Sequence, residues 1–223
     1  MTLTSKNQHL TRQMGLIPLH VLDQKINIIG SGAIGSFTAL SLAKMGFTNL
    51  TVFDDDIVDT ENLSGQFFRH SDVGKPKVTA LKELIFDFTG ETIEVINDRW
   101  NGAKLDGIII SAVDSMEARK QIFDAHYKKA FNTKLVIDSR MGAQTSMLYT
   151  YNPLSIVEGE SYEKSLYSDS EAVQEPCTAK ATAYCALGLS SYVCSVIKEY
   201  VVNNNRPKNS MFDFVSLDII TNR

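Results

Sequence analysis

The run Lys25-Ile26-Asn27-Ile28-Ile29, followed by Gly30-Ser31-Gly32-Ala33-Ile34-Gly35, constrains the fold more than any other stretch of the chain. A short apolar, β-branched run reads as a strand, and glycines at this spacing turn the chain sharply out of it. Gly30 permits the tight turn. Gly32, with Ala33 beside it, lets a phosphate approach the backbone, and Gly35 lets the next helix pack closely on the strand. Residues 36–45 read as that helix, stopped by Gly46, and residues 49–54 as the next strand. The helix N-terminus presents unpaired N–H groups to an anion. Asp54 ends the second strand 19 residues after Gly35, where a carboxylate can bind ribose hydroxyls. The unit points to a nucleotide without saying which one.

The pattern continues more loosely. A polar stretch at 55–74 leads to a helix near 75–88, a strand at 92–97, and the apolar run 107–110 of a central parallel strand. A helix near 115–131 and a strand at 134–139 follow. This order predicts an α/β, Rossmann-like, largely parallel sheet with helices on both faces. Upstream, residues 7–17 carry Leu10, Met14 and Ile17 at helical spacing. Downstream, 145–151 and 211–219 read as strands of an antiparallel extension. Between them, residues 157–176 hold six acids and one lysine and read as an acidic loop, ahead of a long helix near 178–203. Nothing resembles a linker, so 1–223 reads as one domain, with its nucleotide-binding part at 25–140.

Net charge is −4 with no basic stripe, which disfavours nucleic acid as a partner. The stretch 181–197 is uncharged and close to spanning length. Its Ser, Thr, Tyr and Cys content favours a buried core helix over a membrane span. The first 13 residues are polar and lack the apolar core of a signal peptide. Cys177, Cys185 and Cys194 form no CxxC pair, so a reducing, cytoplasmic setting is expected and a disulfide framework is not.

Residues 53–78 decide between nucleotides. Asp54 and Asp56 form an Asp-x-Asp pair. Asn62, Leu63 and Gln66 follow at the spacing of Asn-Leu-x-Arg-Gln, and Asp72, Gly74 and Lys77 at that of Asp-x-Gly-x-x-Lys. In this order they resemble the signature of the ubiquitin-activating-like ThiF/MoeB/HesA family. Thr11-Arg12-Gln13 is similar to the end of the family's Arg-Tyr-x-Arg-Gln segment, whose first arginine falls on His9 here. Asp114 opens DSMEAR, similar to the family's Asp-Asn-x-x-x-Arg.

The resemblance implies an ATP-dependent adenylyltransferase that activates the C-terminal carboxylate of a ubiquitin-like or sulfur-carrier protein, or of a peptide. Adenylation of a non-protein substrate and a non-catalytic partner subunit are the alternatives. It implies ATP held by the glycine turn, Asp54, Asp56, Asn62, Gln66 and Lys77. Magnesium falls to Asp114, with Arg119 as its companion, and Arg12 completes the site of a second copy in a homodimer. Attack of a carboxylate on the α-phosphorus builds negative charge there and on the departing pyrophosphate, which cations and a metal offset. Two features depart from the family. Gly65 stands where the family has a phosphate-contacting arginine, and Arg69 is the nearest substitute. The paired cysteines of the family's zinc site are missing, so no zinc is expected. Cys177 precedes the long helix, whose N-terminus favours a thiolate, and is the candidate acceptor of the activated carboxylate.

Overall fold

The computed structural model describes residues 5–142, 144–167 and 182–223. In chain order it contains β1 (Ile26–Ile29), α1 (Ala33–Lys44), β2 (Leu50–Phe53), α2 (Lys77–Thr89), β3 (Glu94–Ile96), β4 (Gly107–Ser111) and α3 (Met116–His126). These are followed by β5 (Thr133–Met141), β6 (Thr145–Tyr151), α4 (Ile156–Glu163), α5 (Ala183–Asn203), β7 (Asn209–Asp213) and β8 (Asp218–Asn222). The strands form one sheet in the order β3-β2-β1-β4-β5-β6-β7-β8. The first five strands in this order pair in parallel. The last three strands add on antiparallel. The expected α/β architecture is therefore present, with its antiparallel extension.

Alternation along the central strands sends side chains to two separate cores. Ile108 and Ile110 join Ile26, Ile28 and Ile137 beneath α1, α2 and α5, whereas Ile109 joins Ile29 and Val136 beneath α3 and α4. This is why β1 and β4 are buried along their whole length and read as continuous apolar runs. Helix α1 is buried almost all round because it is wedged between the sheet and α5, where the Ser190 hydroxyl donates to the Ile34 carbonyl at 3.0 Å. Among the described residues, α5 is the one helix long and apolar enough to cross a membrane. Its Cys185, Leu189, Val193 and Ile197 are buried in the protein.

Four sequence expectations need correction. The segment at 7–17 is a 3-10 helix over Ser5–Leu10 followed by turns, with Leu10 and Ile17 buried as expected. The Thr11 hydroxyl donates to the Gln8 carbonyl and Gly15 stiffens nothing, so i→i+3 turns replace an α-helix. The strand expected at 211–219 is the β7–β8 hairpin. The Asp213 carboxylate accepts from the amides of Val215 and Ser216, and Leu217 carries the positive φ of 64°. No glycine or Asn-Gly pair announces that turn. The helix expected near 115–131 ends at His126, and Lys128 (φ 58°) turns the chain toward β5. Finally, the acidic loop begins with a helix, α4. Ser155 caps it by accepting from the Glu158 amide at 3.3 Å. Gly159, a helix-weakening residue, is there because a Cβ would lie 2.0 Å from the Tyr127 ring.

Candidate nucleotide-binding site

The strand order reverses between β1 and β4, and in open α/β sheets the crevice outside the C-terminal ends of two such strands is where ligands bind. The residues 30–35 lie at that crevice. Gly30 has φ +95°, and a Cβ there would sit 2.6 Å from the Ala112 carbonyl oxygen, so the turn is pressed against the exit of β4. Gly35 is tighter still, since its Cβ would lie 1.9 Å from the Gly30 carbonyl oxygen. Gly32 is the N-cap of α1 and offers no side chain to the helix's first amides. These stay available to an anion, beside open space. A Cβ on Gly32 would meet nothing nearer than Gln66 Nε2, at 4.0 Å.

Asp54 locks this turn. Its Oδ2 accepts from the Ser31 amide at 2.6 Å and its Oδ1 from the Asp56 amide at 2.9 Å. Each oxygen keeps a lone pair for a hydroxyl group. Lys77, at the start of α2, is buried, and its Nζ reaches Asp56 Oδ2 at 2.7 Å while Asp56 itself is largely exposed. Ser36 Oγ accepts from the Phe67 amide at 3.0 Å and draws the 60–68 segment over α1, which brings in Gln66. The residues Gly30, Gly32, Ala33, Gly35, Asp54, Asp56, Gln66 and Lys77 thus belong to one neighbourhood. Asn62 lies at its margin, its Oδ1 accepting from the Asp59 amide at 2.9 Å in the capping box of the turn Thr60–Ser64.

Asp114 stands beyond β4. It is exposed and makes no side-chain hydrogen bond to a described residue. Ser115, not Asp114, caps α3 by accepting from the Ala118 amide at 3.2 Å. Among the described residues nothing holds this carboxylate, which lies at the end of the strand against which Gly30 is packed. The side chains present fit a nucleotide phosphate with a hard cation. There is an uncapped helix N-terminus, a glycine cradle, one buried lysine and one free carboxylate. The buried oxygens Ser31 Oγ, Gln66 Oε1 and Ser111 Oγ lack partners among the described residues.

Two other predicted residues, Arg69 and Arg12, lie elsewhere. Arg69 is paired with acids rather than with the glycine turn. Its Nε and Nη2 hold Asp72 at 3.0 Å each, Nη1 holds Asp87 at 2.6 Å, and Nη2 approaches Glu83 at 3.4 Å. Asp72 is fully buried, and it is this carboxylate that requires a guanidinium. Burial opposes its ionisation, but Arg69 and then Lys75 outweigh that and hold it below the usual carboxylate range. Arg12 is exposed, next to Gln13, whose Nε2 donates to the Met45 carbonyl at the C-terminal end of α1. Cys177 falls outside the described residues. Cys185 and Cys194 are buried, and burial pushes the Cys194 thiol up to about 12.

Arg119 stands behind the turn that bears Asp114. It is buried and contacts Asp138 and three backbone carbonyls instead of opening on the crevice. Sequence reasoning missed Asp138 and Arg140, because neither belongs to a spaced motif, and Ser31, because it fills a variable position of the glycine motif.

Residues 15–222 match the model of the family described as ThiF family. The chain belongs to the ThiF family. Among curated relatives, the NEDD8-activating enzyme E1 catalytic subunit of Dictyostelium discoideum is 36% identical over 107 residues, 45% of this chain and 24% of that protein. The ubiquitin-like modifier-activating enzyme 5 of Aedes aegypti is 28% identical over 142 residues, 54% of this chain and 36% of that protein. The chain therefore matches about a quarter to a third of the length of these relatives. Among solved structures, PaaA superposes with a TM-score of 0.76 at 18% identity, over 99% of this chain and 74% of that one. E. coli MccB with ATP superposes with a TM-score of 0.74 at 15% identity, over 99% and 72%. At such identities the superpositions establish a shared ThiF-type fold.

Proposed function

We propose that the chain is an ATP-dependent adenylyltransferase that activates a carboxylate at the end of a small ubiquitin-like protein, a sulfur-carrier protein or a peptide. The observation that carries this reading is the junction of Gly30–Gly35 with the β4 exit. It packs the uncapped α1 N-terminus against the strand end that leads to Asp114, with Lys77 joined to the same turn through Asp56 and Asp54. The ThiF membership, the E1-type relatives and the MccB structures with ATP and with MccA support it. A hydride-transfer site would have no use for Lys77 and Asp114.

In this reading the α1 N-terminus and Gly32 receive the phosphates, and Asp54 receives the ribose hydroxyls. Lys77 exchanges Asp56 for a phosphate oxygen. Asp114 would hold magnesium, which supplies charge neutralisation at the phosphates when bound. The substrate carboxylate oxygen bonds to the α-phosphorus as the bond to the pyrophosphate oxygen breaks, giving an acyl-adenylate. Arg12 lies near the far end of α1, about 18 Å from the glycine turn for a helix of this length. In this reading Arg12 serves the site of a second copy in a homodimer rather than the site of its own chain. ATP–pyrophosphate exchange with candidate carrier proteins tests the proposal. Exchange that Asp114→Ala abolishes supports it, and exchange unaffected by Asp114→Ala removes that residue from the site.

A further inference from the structure

Asp138 lies in β5 and is fully buried between two arginines that are themselves almost fully buried. Arg119 Nε donates to Asp138 Oδ1 at 3.0 Å, and Arg140 Nε donates to Oδ2 at 2.6 Å. The Tyr162 hydroxyl donates to Oδ2 at 3.0 Å. The terminal nitrogens of both guanidiniums then reach a neighbouring loop, Arg119 Nη2 also approaching the Ser139 carbonyl in β5 at 3.2 Å. Arg119 Nη1 donates to the Ser115 carbonyl at 3.0 Å and Nη2 to the Val113 carbonyl at 2.5 Å, the two carbonyls on either side of Asp114. Arg140 Nη1 donates to the Ser165 carbonyl at 2.8 Å and Nη2 to the Ser165 hydroxyl at 2.9 Å, just past the end of α4.

We propose that Asp138 is a positioning residue, which through Arg119 fixes the turn bearing Asp114 and through Arg140 fixes the chain at Ser165. The proposal rests on the adenylation reading only in giving Asp114 the metal. A buried ion cluster is an inefficient source of stability, since apolar residues of similar volume do as well or better. What it offers is direction. A planar fork with its Nε anchored has its two terminal nitrogens aimed. The free carboxylate of Asp114 carries no bond of its own to a described residue, so its orientation depends on the carbonyls gripped on both sides. Arg140 is packed further by the Tyr149 ring, 4.4 Å from its Cζ. Burial, then Asp138, pushes the Tyr162 phenol well above its ordinary range, so it remains a donor to the carboxylate.

The test uses Arg119→Lys, Arg140→Lys and Asp138→Asn in the full chain. The two lysines keep the charge and lose the fork. Hydrogen exchange is followed at the amides of Ala118 and Arg119, which close on Ser115, and of Ser165 and Leu166, which close on Tyr162 and Glu163. Arg119→Lys is expected to speed the first pair, Arg140→Lys the second, and Asp138→Asn both. Calorimetry with ATP, with magnesium and with a chelator, supplies the second readout. Arg119→Lys and Asp138→Asn should raise the magnesium needed for half-maximal ATP binding on the order of 10-fold, as loss of an outer-sphere partner does. Metal-free ATP affinity should be unchanged in both. The proposal is overturned if Asp138→Asn moves only one pair of amides, or if ATP affinity falls equally with and without magnesium. Should Asp138→Asn fail to fold, a lysine variant that speeds all four amides alike overturns it, and separate local effects uphold it. A wild type that binds no ATP defeats the adenylation reading, while the exchange pattern still decides the role of Asp138.

Discussion

Replacing Arg69 with methionine separates a structural arginine from a phosphate-binding one. In the wild type, Asp72 is fully buried and receives a two-pronged bond from Arg69, the Arg69 amide at 2.9 Å, and Lys75 at 3.4 Å. Removing one partner of a fully buried pair typically costs about 3–5 kcal/mol. Here the arginine side chain is 38% exposed, and Lys75 with one backbone amide remains. The loss should therefore be about 2 kcal/mol, since exposed partners contribute little. For a chain of this size that lowers the melting temperature by about 4–8 °C. The loss also has a pH signature. The folded carboxyl of Asp72 lies below its unfolded value of about 3.9, so its contribution is present above that pH and fades as pH falls through the folded value. The gap between Arg69→Met and wild type should thus narrow in acid. Thermal melts across pH, with ATP calorimetry on the same protein, make the measurement. Unchanged melting with loss of ATP affinity would refute the reasoning and return Arg69 to the phosphates.

Two further outcomes follow from the same geometry. Gly35→Ala should destabilise by about 3 kcal/mol, the upper range for overpacking, and abolish ATP binding. The new Cβ meets the Gly30 carbonyl at 1.9 Å, and Gly30 is itself pinned against Ala112; Gly15→Ala, with open space around it, is the control that should leave melting nearly unchanged. Arg12→Ala and Lys77→Ala should each be inactive alone, but mixing and refolding them together should restore about a quarter of wild-type exchange. Half the random dimers are then mixed, and each has one intact site of two. No recovery would place Arg12 outside the partner's site.

The architecture was legible because its information is local. The β-branched runs of β1 and β4 and the turn at Gly30–Gly35 each follow from a few adjacent residues, and the alternation of strands and helices points to a parallel sheet. The Asp54, Asp56, Gln66 and Lys77 cluster was legible through motif spacing. What escaped depends on contacts between distant segments. Arg69 was assigned to phosphates because nothing in its neighbourhood reveals that Asp72 is buried and that Asp87 lies 18 positions on, one face of α2 away. Asp138 looked like the end of an apolar strand, since its partners Arg119 and Tyr162 are 19 and 24 residues distant. Helix α4 was hidden by Gly159, whose reason is the ring of Tyr127 from another element. The β7–β8 turn was hidden by Leu217, a residue that rarely takes positive φ.

The central claim is that the crevice between β1 and β4 takes ATP with magnesium and not a dinucleotide. Isothermal calorimetry of the wild-type chain with ATP and magnesium, and separately with NAD, tests it most directly. Saturable ATP binding that weakens in Lys77→Met and loses its magnesium dependence in Asp114→Ala, with no heat from NAD, is the predicted result. Tight NAD binding with no ATP binding would contradict it.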